Sequence, residues 1–186
     1  MSASSLTGRQ RHLVLIAGCC VALITAATAS AGAATRSARA ASAPRCTTAR
    51  LEIWLGLGLG GGTAGSTFYP LEFSNVSHSA CTLNGFPGVS AVGGGGGQIG
   101  PAAGRNKQHH GTVTLAPGAT AHAILRVVDA GAVCSSPVTA TSLKVFPPGA
   151  TRSESIPFSF AACAHSGVLV VGPVRAGVGI PGFTTS

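Results

Sequence analysis

Residues 81–89, which read C-T-L-N-G-F-P-G-V, constrain the fold of this chain more than any other segment. They contain two turn signals, an Asn-Gly pair and a Pro-Gly pair. Pro87 presets φ to about −65° for the second position of a turn, and Gly88 supplies the positive φ that a type II turn needs next. Cys81 can join this segment covalently to another part of the chain. The segment therefore predicts a cross-linked corner between two β-strands.

Short alternating segments, separated by Gly and Pro residues, fill the chain after residue 46. Apolar residues alternate with others at 51–55, 69–75 and 121–128, which is the period of a half-buried strand. Pro70 favours an edge position for the second of these strands. No segment after residue 46 has a helical period. The pattern predicts an all-β, two-sheet antiparallel β-sandwich of about seven or eight strands, formed by a single domain at 46–186.

Residues 1–34 have the organisation of a secretory signal peptide. Arg9 and Arg11 form the positive region, and residues 13–24 form an apolar stretch. That stretch is short for a membrane span, which needs about 20 apolar residues. Small residues then give three A-x-A cleavage patterns at 27–33. We therefore expect a protein that is secreted or held at the cell wall.

A second interpretation of the leader remains open. Residues 15–19 read L-I-A-G-C and resemble a bacterial lipobox, in which Cys19 is lipidated and becomes the new N-terminus. The apolar stretch continues past Cys19, whereas a lipobox usually ends it. Lipid anchoring at Cys19 to the outer face of the membrane is therefore the alternative to cleavage near residue 30, and an uncleaved anchor is a third. In each case the membrane is contacted only through the leader or its lipid.

The positive charge of the chain lies mostly before the folded part. The net charge is +8, but from Leu51 onward there are six Lys or Arg residues and four acids, which leaves 6 − 4 = +2. Residues 35–45 are small and basic, and we interpret them as a flexible arm. Aromatic residues are not interleaved with the basic ones, so nucleic acid is not an expected partner. An anionic wall polymer or an envelope protein fits this charge better.

Four cysteines follow the leader: Cys46, Cys81, Cys134 and Cys163. An even number in an exported chain indicates two disulfide bonds, for which three pairings are possible. We favour Cys46 with Cys81 and Cys134 with Cys163, because sequential pairing joins neighbouring strands. A zinc site is the alternative, but no C-x-x-C spacing supports it.

Several motifs occur in the order found in a known family. Residues 81–89 carry the most specific of them, and the others lie at residues 64–66, 71–75, 115–118 and 145–149, with Cys134 and Cys163 at matching places. The chain resembles, over residues 46–173, the exported actinobacterial family called domain of unknown function 4232. The resemblance implies an immunoglobulin-like β-sandwich, often tethered or lipid-anchored. It implies no activity.

Motifs for cofactor chemistry are weak. Residues 56–61 satisfy G-x-G-x-x-G, but no helix pattern follows, so a flexible loop is the better interpretation than a dinucleotide site. His109 and His110 stand beside Arg105 and Lys107 and could bind a metal or an anion. Adjacent side chains on a strand point apart, so we interpret them as a solvated loop. No cofactor or metal is expected.

Catalytic groups are scarce. No G-x-S-x-G motif occurs, and the chain has only four acids. Glu52 and Glu72 fall on outward strand faces, where they could meet across two strands, although ordinary surface charge is the simpler interpretation. The sequence favours a non-catalytic, exported interaction module of unknown ligand. An envelope hydrolase with a site assembled across loops, or a passive wall-associated protein, is the alternative.

Overall fold

The computed structural model describes residues 42–57 and 61–179, and this part of the chain is almost entirely β-structure. The leader, Cys19 and most of the predicted arm lie outside the described residues. Ordered pairing begins just before the predicted start of the domain, because Pro44 O accepts a hydrogen bond from Thr82 N at 2.8 Å. No helix among the described residues is both long and apolar enough to cross a membrane.

Thirteen strands occur in the described residues, and eight of them have four residues or more. Only two single turns of 3-10 helix, Thr48–Arg50 and Ala130–Ala132, interrupt them. The strands are β1 (Leu51–Leu55), β2 (Gly61–Thr63), β3 (Ser66–Asn75), β4 (Cys81–Asn84), β5 (Gly88–Val92), β6 (Gln98–Ile99), β7 (Gly104–Arg105), β8 (Thr112–Leu115), β9 (Thr120–Val128), β10 (Val138–Phe146), β11 (Glu154–Ala162), β12 (Leu169–Val171) and β13 (Arg175–Ala176).

Three sheets organise these strands. The largest has seven strands in the order β1-β3-β9-β12-β7, with β2 paired to β3 and β13 paired to β9. A four-stranded sheet has the order β11-β10-β5-β6, and β4 pairs with β8 in a two-stranded sheet. Neighbouring strands are antiparallel except β7 and β12. The predicted all-β fold is therefore confirmed.

The core consists of the alternating apolar residues that the sequence pattern identified. In β3, Leu71 and Phe73 are fully buried, and in β9 Ala121, Ala123 and Leu125 are fully buried. The four-stranded sheet contributes its own buried set to the same cluster: Val89, Ala91, Ala140, Leu143, Val145, Ile156 and Phe158. Since successive side chains of a strand point to opposite faces, the residues between these positions lie on the outer faces of the sheets.

Both disulfide bonds have the predicted partners. Cys46 pairs with Cys81 and Cys134 pairs with Cys163, over separations of 35 and 29 residues. The first bond links the segment before β1 to the start of β4. The second links the turn after Ala130–Ala132 to the end of β11. In the chain-entropy model, loops of this length stabilise the fold by about 4 kcal/mol each.

The corner at residues 81–89 is correct in position but not in turn type. Gly85 has φ of 97°, so the Asn-Gly pair forms the turn that follows β4. Gly88 is not among the glycines with positive φ and is the first residue of β5. A Cβ at Gly88 would lie 3.4 Å from the Cβ of Phe146 on the paired strand. Because a Cβ at that distance makes ordinary van der Waals contact, neither φ nor packing demands glycine at 88, and the predicted type II turn is wrong.

Pro70 does not mark an edge strand, because β3 pairs with β1 on one side and with β9 on the other. The carbonyl of Pro70 accepts a hydrogen bond from Gly56 N at 2.9 Å, so this residue faces the β1 side. Pairing with β1 ends at Leu55, opposite Leu71. The missing N–H of the proline therefore falls just beyond the end of that ladder, where no partner strand needs it.

Candidate functional site

The outer face of the seven-stranded sheet has an unusual composition. An exposed sheet face is normally polar, yet this face carries six apolar side chains among its polar ones. Its apolar members are Trp54 of β1, Phe68 and Pro70 of β3, Ile124 and Val128 of β9, and Val170 of β12. Trp54 is 37% exposed, and the others are partly or fully buried. This face is therefore covered in some places and grooved in others.

One end of this face forms a groove of about 340 Å³, which we call the outer groove. Phe68, Ile124 and Val170 supply apolar side chains from three neighbouring strands. Two amides, a guanidinium and a glycine complete it: Asn106, Gln108, Arg126 and Gly172. Apolar surface with a few convergent polar groups is typical of a ligand site.

Local contacts hold the polar groups of the outer groove in place. Arg126 Nε donates to Ser66 Oγ at 2.9 Å, which orients the guanidinium while using one of its five donors. Asn106 N donates to Val171 O at 3.0 Å, and Asn106 Oδ1 accepts from Gln108 N at 3.2 Å. A Cβ at Gly172 would lie 3.2 Å from the Asn106 amide nitrogen. Glycine at 172 therefore leaves the space in which the amide packs.

Among the described residues, Arg126 is the one charged residue that lines the outer groove, and none of the four acids of the folded part lines it. The loop that carries the two amides also carries Arg105 and Lys107. Arg105 lies over the ring of Phe86, with 5.6 Å from its Cζ to the ring centroid. Arg175 Nη2 donates to the carbonyl of His109 at 2.8 Å, which ties this loop to β13. The local charge is positive and favours an anionic ligand.

Glu72 lies on the same outer face but is fully buried. Gly179 N donates to Glu72 Oε1 at 2.8 Å, and Glu72 Oε2 has no hydrogen-bond partner among the described residues. Burial raises the pKa of Glu72 from 4.5 to about 7, although the bond from Gly179 N lowers it in part. This carboxyl can therefore gain or lose a proton near neutral pH.

Residues 177–179, which we call the strap, cover Glu72. Strand β13 runs beside β9 at the edge of the sheet, and Gly177, with φ of 84°, turns the chain from this edge onto the outer face. His122 is the cross-strand neighbour of Glu72, and its Nδ1 lies 2.8 Å from Gly177 O. Since a carbonyl only accepts, His122 carries a proton on Nδ1. The strap therefore covers the Glu72 carboxyl, whereas the neighbouring His122 stays partly exposed.

The structure places the histidine pair at 109–110 and the glycine motif at 56–61 in separate surroundings. His109 and His110 are both exposed, and His110 meets Phe86 edge-on, with ring centroids 5.6 Å apart. The glycine motif at 56–61 is followed by strand β2 where a dinucleotide site needs a helix, and residues 58–60 lie outside the described residues. Within 42–57 and 61–179, no cluster of three or more His, Cys, Asp or Glu side chains could hold a metal.

The two acids expected on outward faces differ in their surroundings. Glu52 pairs with Ser74 in register, so it is a diagonal neighbour of Glu72. Such neighbours have Cα atoms about 7–8 Å apart. Glu52 is exposed, whereas Glu72 is sealed under the strap. The two carboxyl groups therefore do not converge on a shared open pocket.

Other cavities offer less convergent chemistry. One of about 440 Å³ lies beside Tyr69 and Phe158, whose ring centroids are 5.0 Å apart. Its acid, Asp129, already accepts a hydrogen bond from Gly131 N at 3.0 Å. A third cavity, of about 370 Å³, has Arg45 and Arg152 in its lining. Neither of these two combines apolar, amide and cationic groups as the outer groove does. A further cavity of about 390 Å³ has Arg45 and the Asn84 amide in its lining, but Pro148 is the one large apolar side chain among the described residues that line it.

Sequence reasoning missed the outer groove and the burial of Glu72. Their residues come from five separate segments, and the contact between Gly179 and Glu72 spans 107 positions. One signal was available in the strand pattern. Trp54, Phe68 and Ile124 occupy outward positions, and apolar residues on both faces of a strand indicate a face that is covered.

Two disulfides, antiparallel sheets and a grooved outer face define a disulfide-linked all-β domain. A family model described as Domain of unknown function (DUF4232) matches residues 46–175. The match covers more than half of the chain, and the chain belongs to this family. No curated protein and no solved structure matches it.

Proposed function

We propose that the chain is an exported, non-catalytic interaction module of the cell envelope, whose outer groove binds an anionic wall polymer. The main support is the composition of that groove, which combines Phe68, Ile124 and the Arg126 guanidinium with two amides. Apolar side chains pack on the carbon skeleton of a polymer, amides bond its hydroxyls, and a guanidinium pairs with a phosphate or carboxylate. Arg105 and Lys107 extend the positive surface along the same loop.

Export is part of this proposal and has separate support. The leader has the organisation of a signal peptide, and two disulfides are typical of an oxidising compartment. Cleavage near residue 30 and lipidation at Cys19 are both compatible with this role. In either case the basic arm would tether the domain near an anionic wall.

Arg126 provides the sharpest test of the proposed ligand. We expect polygalacturonate or polyphosphate to bind the purified protein in calorimetry, and dextran of similar length not to bind. Arg126→Gln should weaken binding about tenfold, equivalent to about 1.4 kcal/mol for one charge-assisted contact. Arg152→Gln is the matched control, because this substitution removes the same charge from an exposed arginine that lies beside a different cavity.

The outcomes separate a groove from general electrostatics. Equal losses in the two variants would mean that net charge alone attracts the polymer. A larger loss in Arg152→Gln would place the ligand at the cavity of Arg45 and Arg152. Binding to dextran that matches the anionic polymers would reject the anionic ligand class. Each result would overturn the proposal that the outer groove binds an anionic polymer.

The hydrolase alternative keeps one favourable observation. Glu72 has a pKa of about 7 and stands next to His122 in the sheet, as a general acid or base would require. The strap lies over Glu72, so substrate cannot reach it in this conformation. Release of reducing ends from a wall polysaccharide, lost in Glu72→Gln, would favour this alternative over the interaction module.

A further inference from the structure

The strap is attached to the sheet by few interactions. Gly177 N donates to Thr120 O at 2.9 Å, His122 Nδ1 donates to Gly177 O at 2.8 Å, and Gly179 N donates to Glu72 Oε1 at 2.8 Å. Two of its three residues are glycines, and the third, Val178, is 49% exposed. The strap therefore buries little apolar surface, and these hydrogen bonds must offset the entropy of ordering a glycine-rich segment.

The strap packs closely against the sheet at Gly179, directly over the ring of His122. A Cβ built on Gly179 would overlap the ring of His122. Any side chain at 179 therefore has to displace either the ring or the strap. Gly179 N also reaches one oxygen of Glu72 and leaves the other without a partner among the described residues. The strap fills this place sterically but satisfies the carboxyl only in part.

The covered residues continue the outer groove. The Glu72–His122 pair and the Pro70–Ile124 pair are consecutive outer-face pairs of β3 and β9, two residues or about 7 Å apart. Trp54 stands opposite Glu72 on β1. With the strap displaced, an indole, a carboxyl and an imidazole would extend the groove beyond Ile124.

We propose that residues 177–179 are a releasable cover, and that their release opens a second subsite formed by Trp54, Glu72 and His122. A ligand with paired hydroxyl donors fits this subsite, because it can reach both oxygens of Glu72 while its carbon skeleton packs on the indole. The release itself does not depend on the polymer that binds the outer groove.

Ionisation of Glu72 drives the release. The ionisable groups on the neighbouring strands of the outer face are His122 of β9 and Glu52 of β1, with Arg175 one strand further away on β13, where it donates to His109 O; the strap contributes none. The bond from His122 Nδ1 to Gly177 O involves neither oxygen of Glu72. Since burial raises the pKa of Glu72 from 4.5 to about 7, strap closure should weaken by about 80-fold from pH 4.5 to pH 7, and by up to about 300-fold over the whole titration.

Amide exchange, measured by NMR on the protein as isolated, tests the strap without a ligand. After correction for intrinsic rates, protection of the amide at position 179 should fall by up to about 140-fold from pH 4.5 to pH 8. Glu72→Gln should keep the protection nearly constant. Gly179→Ala should abolish it at every pH, while Val178→Ala, a neighbouring exposed position, should follow the wild type.

Trp54 gives a second readout, because it is the only tryptophan in the chain. Quenching of its fluorescence by acrylamide should rise with pH in the wild type and be high throughout in Gly179→Ala. A pH-independent protection in the wild type, or the same fall in Glu72→Gln, would overturn the role of Glu72. Full protection of the amide at position 179 in Gly179→Ala would contradict the close steric fit of Gly179 against His122. Neither result bears on polymer binding at Arg126, so the two proposals fail separately.

Discussion

Replacing Glu72 by glutamine should change how the stability of the fold depends on pH. Glutamine has nearly the same shape, and its Oε1 can still accept the hydrogen bond from Gly179 N. It cannot ionise, so the desolvation of a carboxylate is removed. The variant therefore isolates one titration in an otherwise unchanged core.

The sign follows from the direction of the pKa shift. The native state holds the proton of Glu72 up to about pH 7, whereas the unfolded state releases it near pH 4.5. Between these values the native state binds more protons, so the free energy of unfolding decreases as pH rises. The contribution is fully present below pH 4.5 and is lost by about pH 7.

The magnitude has an upper limit. A shift from 4.5 to about 7 corresponds to about 3 kcal/mol at 1.36 kcal/mol per unit. Release of the strap would relieve the burial first, so the loss is capped by the free energy that holds the strap closed. Three net hydrogen bonds of about 1 kcal/mol each give a similar value before the entropy of the strap is subtracted. We therefore expect a loss of about 1–3 kcal/mol.

Urea unfolding at pH 4, 5.5, 7 and 8 measures this loss, with disulfides kept intact. The difference between wild type and Glu72→Gln should change by about 1–3 kcal/mol over this range, with the variant relatively more stable at high pH. Glu52→Gln is the matched control, since this exposed glutamate lies on the same face. Parallel profiles for wild type and Glu72→Gln, or a relative gain of the wild type with rising pH, would refute the reasoning.

Three further predictions follow from the fold. Phe73→Ala, at a fully buried position, should lower the free energy of unfolding by about 3–5 kcal/mol in urea titrations, and a loss below about 1 kcal/mol would contradict the assigned core. Gly85→Ala should destabilise by about 1–2 kcal/mol because φ is 97°, whereas Gly95→Ala, in open space on an exposed loop, should change stability by less than about 0.5 kcal/mol. In an exported chain cleaved near residue 30, intact mass should show four thiol labels only after reduction, and labelling of that chain before reduction would contradict the two disulfides.

The strands and disulfides could be predicted because they depend on local patterns. Alternation at 51–55 and 121–128 specified β1 and β9, and sequential pairing of four cysteines specified both bonds. The turn type at residues 84–88 was wrong because the segment holds two glycines that could take a positive φ, and it is Gly85 that does so while Gly88 begins β5. Local chemistry offered no means of ranking those glycines.

The candidate site depends on long-range placement, which one sequence specifies poorly. Glu72 and His122 become neighbours only through the pairing of β3 with β9. The burial of Glu72 needs the chain to return from position 179, and its raised pKa follows from that return. An outward glutamate in a strand pattern is normally solvated, so nothing near residue 72 indicates otherwise.

The two disulfides also determine how the protein responds to mechanical load. A force between its ends passes from Cys46 to Cys81 and from Cys134 to Cys163 through sulfur. The 34 and 28 residues inside these closed loops, which include β1, β3, β10 and β11, are withheld from extension. At about 3.5 Å per residue, the fully stretched oxidised chain is shorter than the reduced one by about 200 Å. A tethered copy under shear would therefore keep β1, β3, β10 and β11 off the load path for as long as its cysteines stay oxidised, while β5 and β9 between the two loops carry the force.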